Sequence, residues 1–112
     1  MPRVVRRGHM RAGIPAQLPE ELVEVLASAA DVRVERIVSR GHASPPELWY
    51  DQDEDEWVVV LAGAARLAIE GEAEEIALAE GEWIDLPRHL RHRVTWTPPD
   101  RDTIWLAVFR RR

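Results

Sequence analysis

The side chains of this sequence best suited to chemistry gather in two places. One is the run Asp51-Gln52-Asp53-Glu54-Asp55-Glu56, five acids in six residues; the other is the pair His89 and His92, just after Pro87. There is no cysteine, which excludes disulfides, zinc ribbons and thiol catalysis. A metal would therefore have to be held by histidine, aspartate or glutamate. The acids of the run repel one another, so Asp53, Glu54 and Asp55 read as a solvated turn. Glu56 differs, because it opens the apolar stretch Trp57–Ala62. A carboxylate there is costly unless it meets an interior arginine or a metal ion. Asp51 is a metal ligand or a turn residue accepting a backbone amide. His92 alternates with Val94 and Trp96, so it faces an apolar side, as a ligand or as a hydrogen-bonded core residue. His89 falls at a turn and reads as a rim residue, supporting a ligand or serving as a general acid. His9 and His42 have no comparable setting.

These groups must be positioned by the surrounding elements. Residues 1–17 lack periodicity and carry Gly8, Gly13 and Pro15, which predicts an extended lead-in. Residues 19–29 predict one helix: Pro19 suits its first position, Glu20 and Glu21 complement its dipole, and Leu22, Val25, Leu26 and Ala29 form an apolar face. Beyond Asp31 the period becomes that of strands. Val32–Ser39, Leu48–Tyr50, Glu56–Ala62, Ala64–Glu70, Glu74–Ala79, Trp83–Leu86, Arg91–Trp96 and Thr103–Phe109 are short, apolar or alternating, and divided by glycine or proline turns. Seven or eight such strands predict a closed all-β structure, barrel or sandwich. The organisation expected is a lead-in and accessory helix over 1–30 and a β-barrel over 31–112, forming a single domain. Of the five tryptophans, Trp57, Trp83 and Trp105 fall out of phase with the presumed interior and are expected on the outer face.

Charge narrows the partners. All fifteen basic residues are arginine, and both ends are basic, with Arg3, Arg6 and Arg7 at one and Arg110, Arg111 and Arg112 at the other; these terminal arginines read as frayed and solvated. Between Glu47 and Asp85 thirteen acids face one base, Arg66. Such a body repels phosphate backbones, so no nucleic-acid partner is expected. No apolar run could span a bilayer, and the start MPRVVRRGHM lacks the apolar region of a signal peptide. A cytoplasmic protein without a membrane partner is the expectation.

Two segments carry a family resemblance. In GHASPPELWYDQDEDEWVVVLAG, Glu56 is followed after six residues by Gly63; in GEWIDLPRHLRHRVTW, Gly81, Pro87 and His92 stand at fixed spacing. Together they resemble the two signature motifs of the cupin superfamily, and the stretch WYDQDEDEW is similar to very small single-domain bacterial cupins. The resemblance implies an RmlC-like jelly-roll β-barrel with a site in its mouth. The departures are equally plain. The His-x-His places hold Trp49 and Asp51, the glycine of the second motif is His89, and its final asparagine is Trp96.

The resemblance implies a degenerate metal centre of Asp51, Glu56 and His92, entering from three strands. An oxygen-rich set of this kind suits Mn, Fe, Zn or Mg without selecting among them. Trp49 and Trp96 would wall a pocket for an apolar or planar molecule, with His89 at the rim. Tyr50 and Gln52 would join the pocket if a bulge reverses the alternation. Two functions follow: a small cupin using a divalent metal on a small organic substrate, or a binding or sensor cupin holding its ligand without metal. Exposed strand edges and outward tryptophans predict a homodimer.

Overall fold

In the computed structural model, which describes residues 3–112, the chain is all-β. The first two residues of the expected lead-in lie outside the described ones. Eight strands form: β1 (Leu22–Ala29), β2 (Val32–Ser39), β3 (Asp55–Ala62), β4 (Ala65–Ile69), β5 (Ile76–Leu78), β6 (Trp83–Leu86), β7 (His92–Trp96) and β8 (Thr103–Arg110). They make two antiparallel sheets, one ordered β1-β2-β8-β3-β6 and the other β5-β4-β7. Val58, Val60, Leu67, Leu86, Trp105, Ala107 and Phe109 fill the space between them. This burial of branched and aromatic side chains between two sheets is what holds the fold closed.

The expected helix over 19–29 is absent; the described residues contain no helix. The same residues also carry a two-residue period. Leu22, Glu24 and Leu26 are half-buried while Val23 and Val25 are exposed. The edge of β2 decides between the two periods. Paired with β2, β1 satisfies its backbone and sets Leu22 opposite Val38 and Glu24 opposite Arg36. The Arg36 guanidinium is buried, and bonds the Glu24 carboxylate and the carbonyls of Met10 and Ala12. A helix would leave that cation without its carboxylate, so tertiary context overrides a weak helical preference. The lead-in crosses the outer face, where Met10, Ile14 and Leu18 cover Val38, Ala62 and Ile104.

Charged groups expected in solvent are tied down instead. Asp55 is buried at the start of β3, where it accepts hydrogen bonds from the Arg112 guanidinium and the Arg88 amide. Those bonds, Arg112 foremost, hold its carboxyl down at about 2. Glu54 receives both amino groups of Arg33, and Arg110 bonds Asp85. The C-terminal arginines at 110 and 112 thus latch the chain end across β3 and β6 rather than fraying.

Candidate functional site

The sheets enclose a cavity of about 220 Å³ that the Tyr50–Gln52 segment helps to line. Its walls are apolar, with Ile37, Val58, Leu67, Leu86, Trp105 and Phe109 prominent. At one pole stand Gln52, Glu56 and His92. Glu56 lies one residue into β3, between Leu86 of β6 and Phe109 of β8. His92 begins β7 opposite Ile69, on the facing sheet. The two side chains therefore meet across the barrel, with His92 Nε2 3.7 Å from Glu56 Oε1 and both largely buried. Gln52 Nε2 donates to the same carboxylate oxygen at 2.7 Å.

The tautomer of His92 follows from its neighbours. Nδ1 lies 2.8 Å from the Leu90 carbonyl, an acceptor only, so Nδ1 carries hydrogen and Nε2 faces Glu56. A bare Nε2 lone pair would point at a carboxylate, whereas a protonated one is attracted to it. Burial pulls the imidazole pKa down, but the Glu56 carboxylate and the Leu90 carbonyl together raise it above the ordinary 6.5. The Glu56 carboxylate thus favours the protonated imidazole, and the two groups face each other within an otherwise apolar space.

The residues expected to converge are divided by the structure. Glu56 and His92 come together; Asp51 does not join them. Asp51 is about half exposed and bonds His89 Nδ1 at 2.7 Å, while His89 Nε2 lies 3.4 Å from Asp53. Among the described residues no three His, Asp or Glu side chains could share a metal ion. Two facing donors, one already bonded to a glutamine amide, are fewer than the three protein ligands an open metal centre uses, so the donor set does not fit one.

Strand register explains the division. The Tyr50 amide and carbonyl both bond His92 of β7, which turns Tyr50 and Gln52 toward the cavity and Trp49 and Asp51 away. The reversed alternation is the one under which Tyr50 and Gln52 reach the pocket. Trp49 instead lies under the Arg93 guanidinium, 5.1 Å from its ring centre. Trp96 is likewise not a wall of the cavity. Arg66 pairs with Trp96 and Leu67 with Val94, so one extra residue bulges β7 and swings Trp96 outward beneath Arg66. His89 is exposed and is not among the residues lining the cavity, and its φ of 65° suits the place where the second motif has glycine.

Trp105, expected outside, is a cavity wall and is buried. Its Nε1–H donates to Ser39 Oγ at 3.1 Å, and the Ser39 hydroxyl in turn bonds Glu21, a second carboxylate lining the cavity. The strand TIWLAVF is apolar on both faces, so alternation alone could not orient Trp105. Trp57 and Trp83 do lie outside, packed on each other with ring centres 5.9 Å apart.

The comparisons agree with this architecture. A family described as the cupin domain matches residues 35–109. A search of the curated proteins returns no match. A crystal structure from Ralstonia eutropha JMP134, of a protein provisionally described as a mannose-6-phosphate isomerase, is 39% identical. The similarity covers 96% of this chain and 100% of that one, with a TM-score of 0.92. An RmlC-like cupin from Desulfovibrio desulfuricans has 14% identity over 96% of this chain and 97% of its own, with a TM-score of 0.73. Another from Methanocaldococcus jannaschii has 17% identity over 88% and 86%, with a TM-score of 0.68. The last two share the fold. With the family match spanning both motif segments and a full-length relative at 39% identity, the chain belongs to the cupin family.

Proposed function

We propose that this small cupin binds a small organic molecule in the barrel cavity without a resident metal, and that Glu56 and His92 anchor it and exchange a proton with it. The observation that carries this reading is the Gln52–Glu56–His92 cluster at one pole of an apolar cavity. Such a pocket offers area for an apolar body and a few polar groups that fix its orientation. Gln52 and the Leu90 carbonyl position the pair, so the arrangement is built before a ligand arrives. A proton donor on the ligand meets Glu56, and a carbonyl or hydroxyl oxygen meets the His92 Nε2–H. The apolar walls keep water from competing for either contact.

The isomerase description of the Ralstonia relative points to a sugar phosphate, whose dianion calls for arginine, lysine or a metal ion. Among the described residues no arginine lines this cavity and the chain has no lysine, while Glu21 and Glu56 both line it. Electrostatics therefore favours an uncharged or cationic ligand over a phosphate ester.

Elemental analysis of untagged protein, with a ligand screen observed at the Trp105 indole and His92 imidazole resonances, tests the proposal. The expected result is metal far below one equivalent per chain, with hits that move both resonances and are lost in His92→Gln. One tightly held divalent ion per chain would overturn it, and so would mannose 6-phosphate emerging as the tightest ligand.

A further inference from the structure

The polar residues of the cavity are not all at the Glu56–His92 pole. Glu21, just before β1, also lines it, and its setting is specific. The Trp105 indole N–H donates to Ser39 Oγ, and the Ser39 hydroxyl is given to Glu21 Oε2. Ser39 is fully buried and Trp105 nearly so, so this chain of bonds holds the carboxylate at the opening. Among the described residues no arginine or histidine lies within ion-pair distance of Glu21, whereas Glu24, Glu35, Glu54, Asp55, Glu70, Asp85 and Asp102 each meet an arginine. Glu56 faces the His92 imidazole, whereas Glu21 faces no such base among the described residues and is the carboxylate left for a ligand. Trp105, joined to Glu21 through Ser39, and Tyr50, nearer His92, also line the cavity, and their ring faces attract cations.

We infer that the cavity selects a small primary amine with a ring body, its ammonium held by Glu21 and its ring against Trp105 and Tyr50. The inference rests on the cavity being a ligand site, as proposed above, and adds the charge and size of what enters. At about 220 Å³ the space is below the roughly 300 Å³ at which ordinary ligand pockets begin, so one ring and a short arm are what it admits. The ammonium meets Glu21 at the opening, where it keeps part of its hydration, and the ring lies between the sheets. Any hydroxyl or carbonyl on the far side of the ring reaches His92. An anion of the same shape meets Glu21 with no cation to offset it.

Three probes of one shape separate the terms: 2-phenylethylamine, 2-phenylethanol and 3-phenylpropanoate, titrated calorimetrically into the whole chain at pH 7. The amine is expected to bind about fivefold more tightly than the alcohol, the gain of a partly solvated ion pair, and the carboxylate most weakly. In Glu21→Gln, whose amide oxygen still accepts the Ser39 hydroxyl, amine and alcohol are expected to bind equally. Equal binding by wild type, a preference for the carboxylate, or an amine preference that survives E21Q would overturn the inference. In those cases alcohol binding would leave the cavity reading standing; failure of all three probes to bind would overturn both. Should E21Q not fold, the wild-type ranking alone decides.

Discussion

His92 shows how much chemistry one buried imidazole takes from three neighbours. The Leu90 carbonyl fixes the hydrogen on Nδ1, Glu56 attracts a second one to Nε2, and the apolar walls oppose charge altogether. The two polar neighbours prevail, and the pKa is raised above 6.5. A raised folded-state value means that the charged histidine stabilises the fold fully below about 6.5 and that this contribution fades as pH rises through the folded-state value. Proton NMR titration of the His92 ring is expected to give a midpoint above 6.5 in wild type. In Glu56→Gln only burial and the Leu90 carbonyl remain, and the midpoint should fall. A wild-type midpoint at or below 6.5 would remove the ion pair from the site. Sequence reasoning reaches Glu56 and His92 because each sits in an apolar strand, where a charge needs an explanation. It misplaces Asp51, since nothing within one strand says that the Tyr50 backbone pairs with His92 and turns Asp51 out.

The elements that carry these residues depend on a few tight passages between sheets. Gly63, ending the first motif between β3 and β4, has φ of 82°, and a Cβ there would lie 2.6 Å from the Asp102 carbonyl oxygen and from Thr103 Oγ1. Both the dihedral and the space demand glycine. Gly63→Ala should cost about 2 kcal/mol or more, as strain and backbone displacement add, and a urea unfolding curve measures it. A variant as stable as wild type would show that the β3–β4 passage has room to relax. Strands β2 to β8 were legible because β-branched runs or alternation lie between turn residues. The 19–29 segment was not, since its apolar residues satisfy both a helical and an alternating period. What selects the strand is the free edge of β2 and the buried Arg36 that needs Glu24, both supplied by residues distant in sequence. The bulge that turns Trp96 out is hidden for the same reason, because it exists only relative to β4.

At the scale of the whole molecule the two sheets are unequal, and the inequality leaves a surface. Five strands face three, so β1 and part of β2 extend past the cover provided by β5-β4-β7. Val23 and Val25 of β1 share the face of Ile37 and Glu35, yet are 55% and 52% exposed, with little of the described chain over them. β1 is also a sheet edge, with backbone groups facing outward; the Arg6 guanidinium takes up only the Leu26 carbonyl. A second copy of the chain would satisfy both needs, because two antiparallel edge strands are self-complementary about a two-fold axis. Burying the exposed parts of four valines is worth roughly 3–6 kcal/mol, only the low end of the 4–15 kcal/mol that association costs. The valines alone therefore do not hold a dimer, and backbone pairing along β1 must contribute. The expected species is a homodimer, twice the 12.8 kDa chain by light scattering. Val23→Lys, which sets a charge on that face and leaves the interior untouched, should give monomers of unchanged thermal stability. Wild-type protein that scatters as a monomer at high concentration would overturn the assembly, and a V23K protein that stays dimeric would move the interface away from β1.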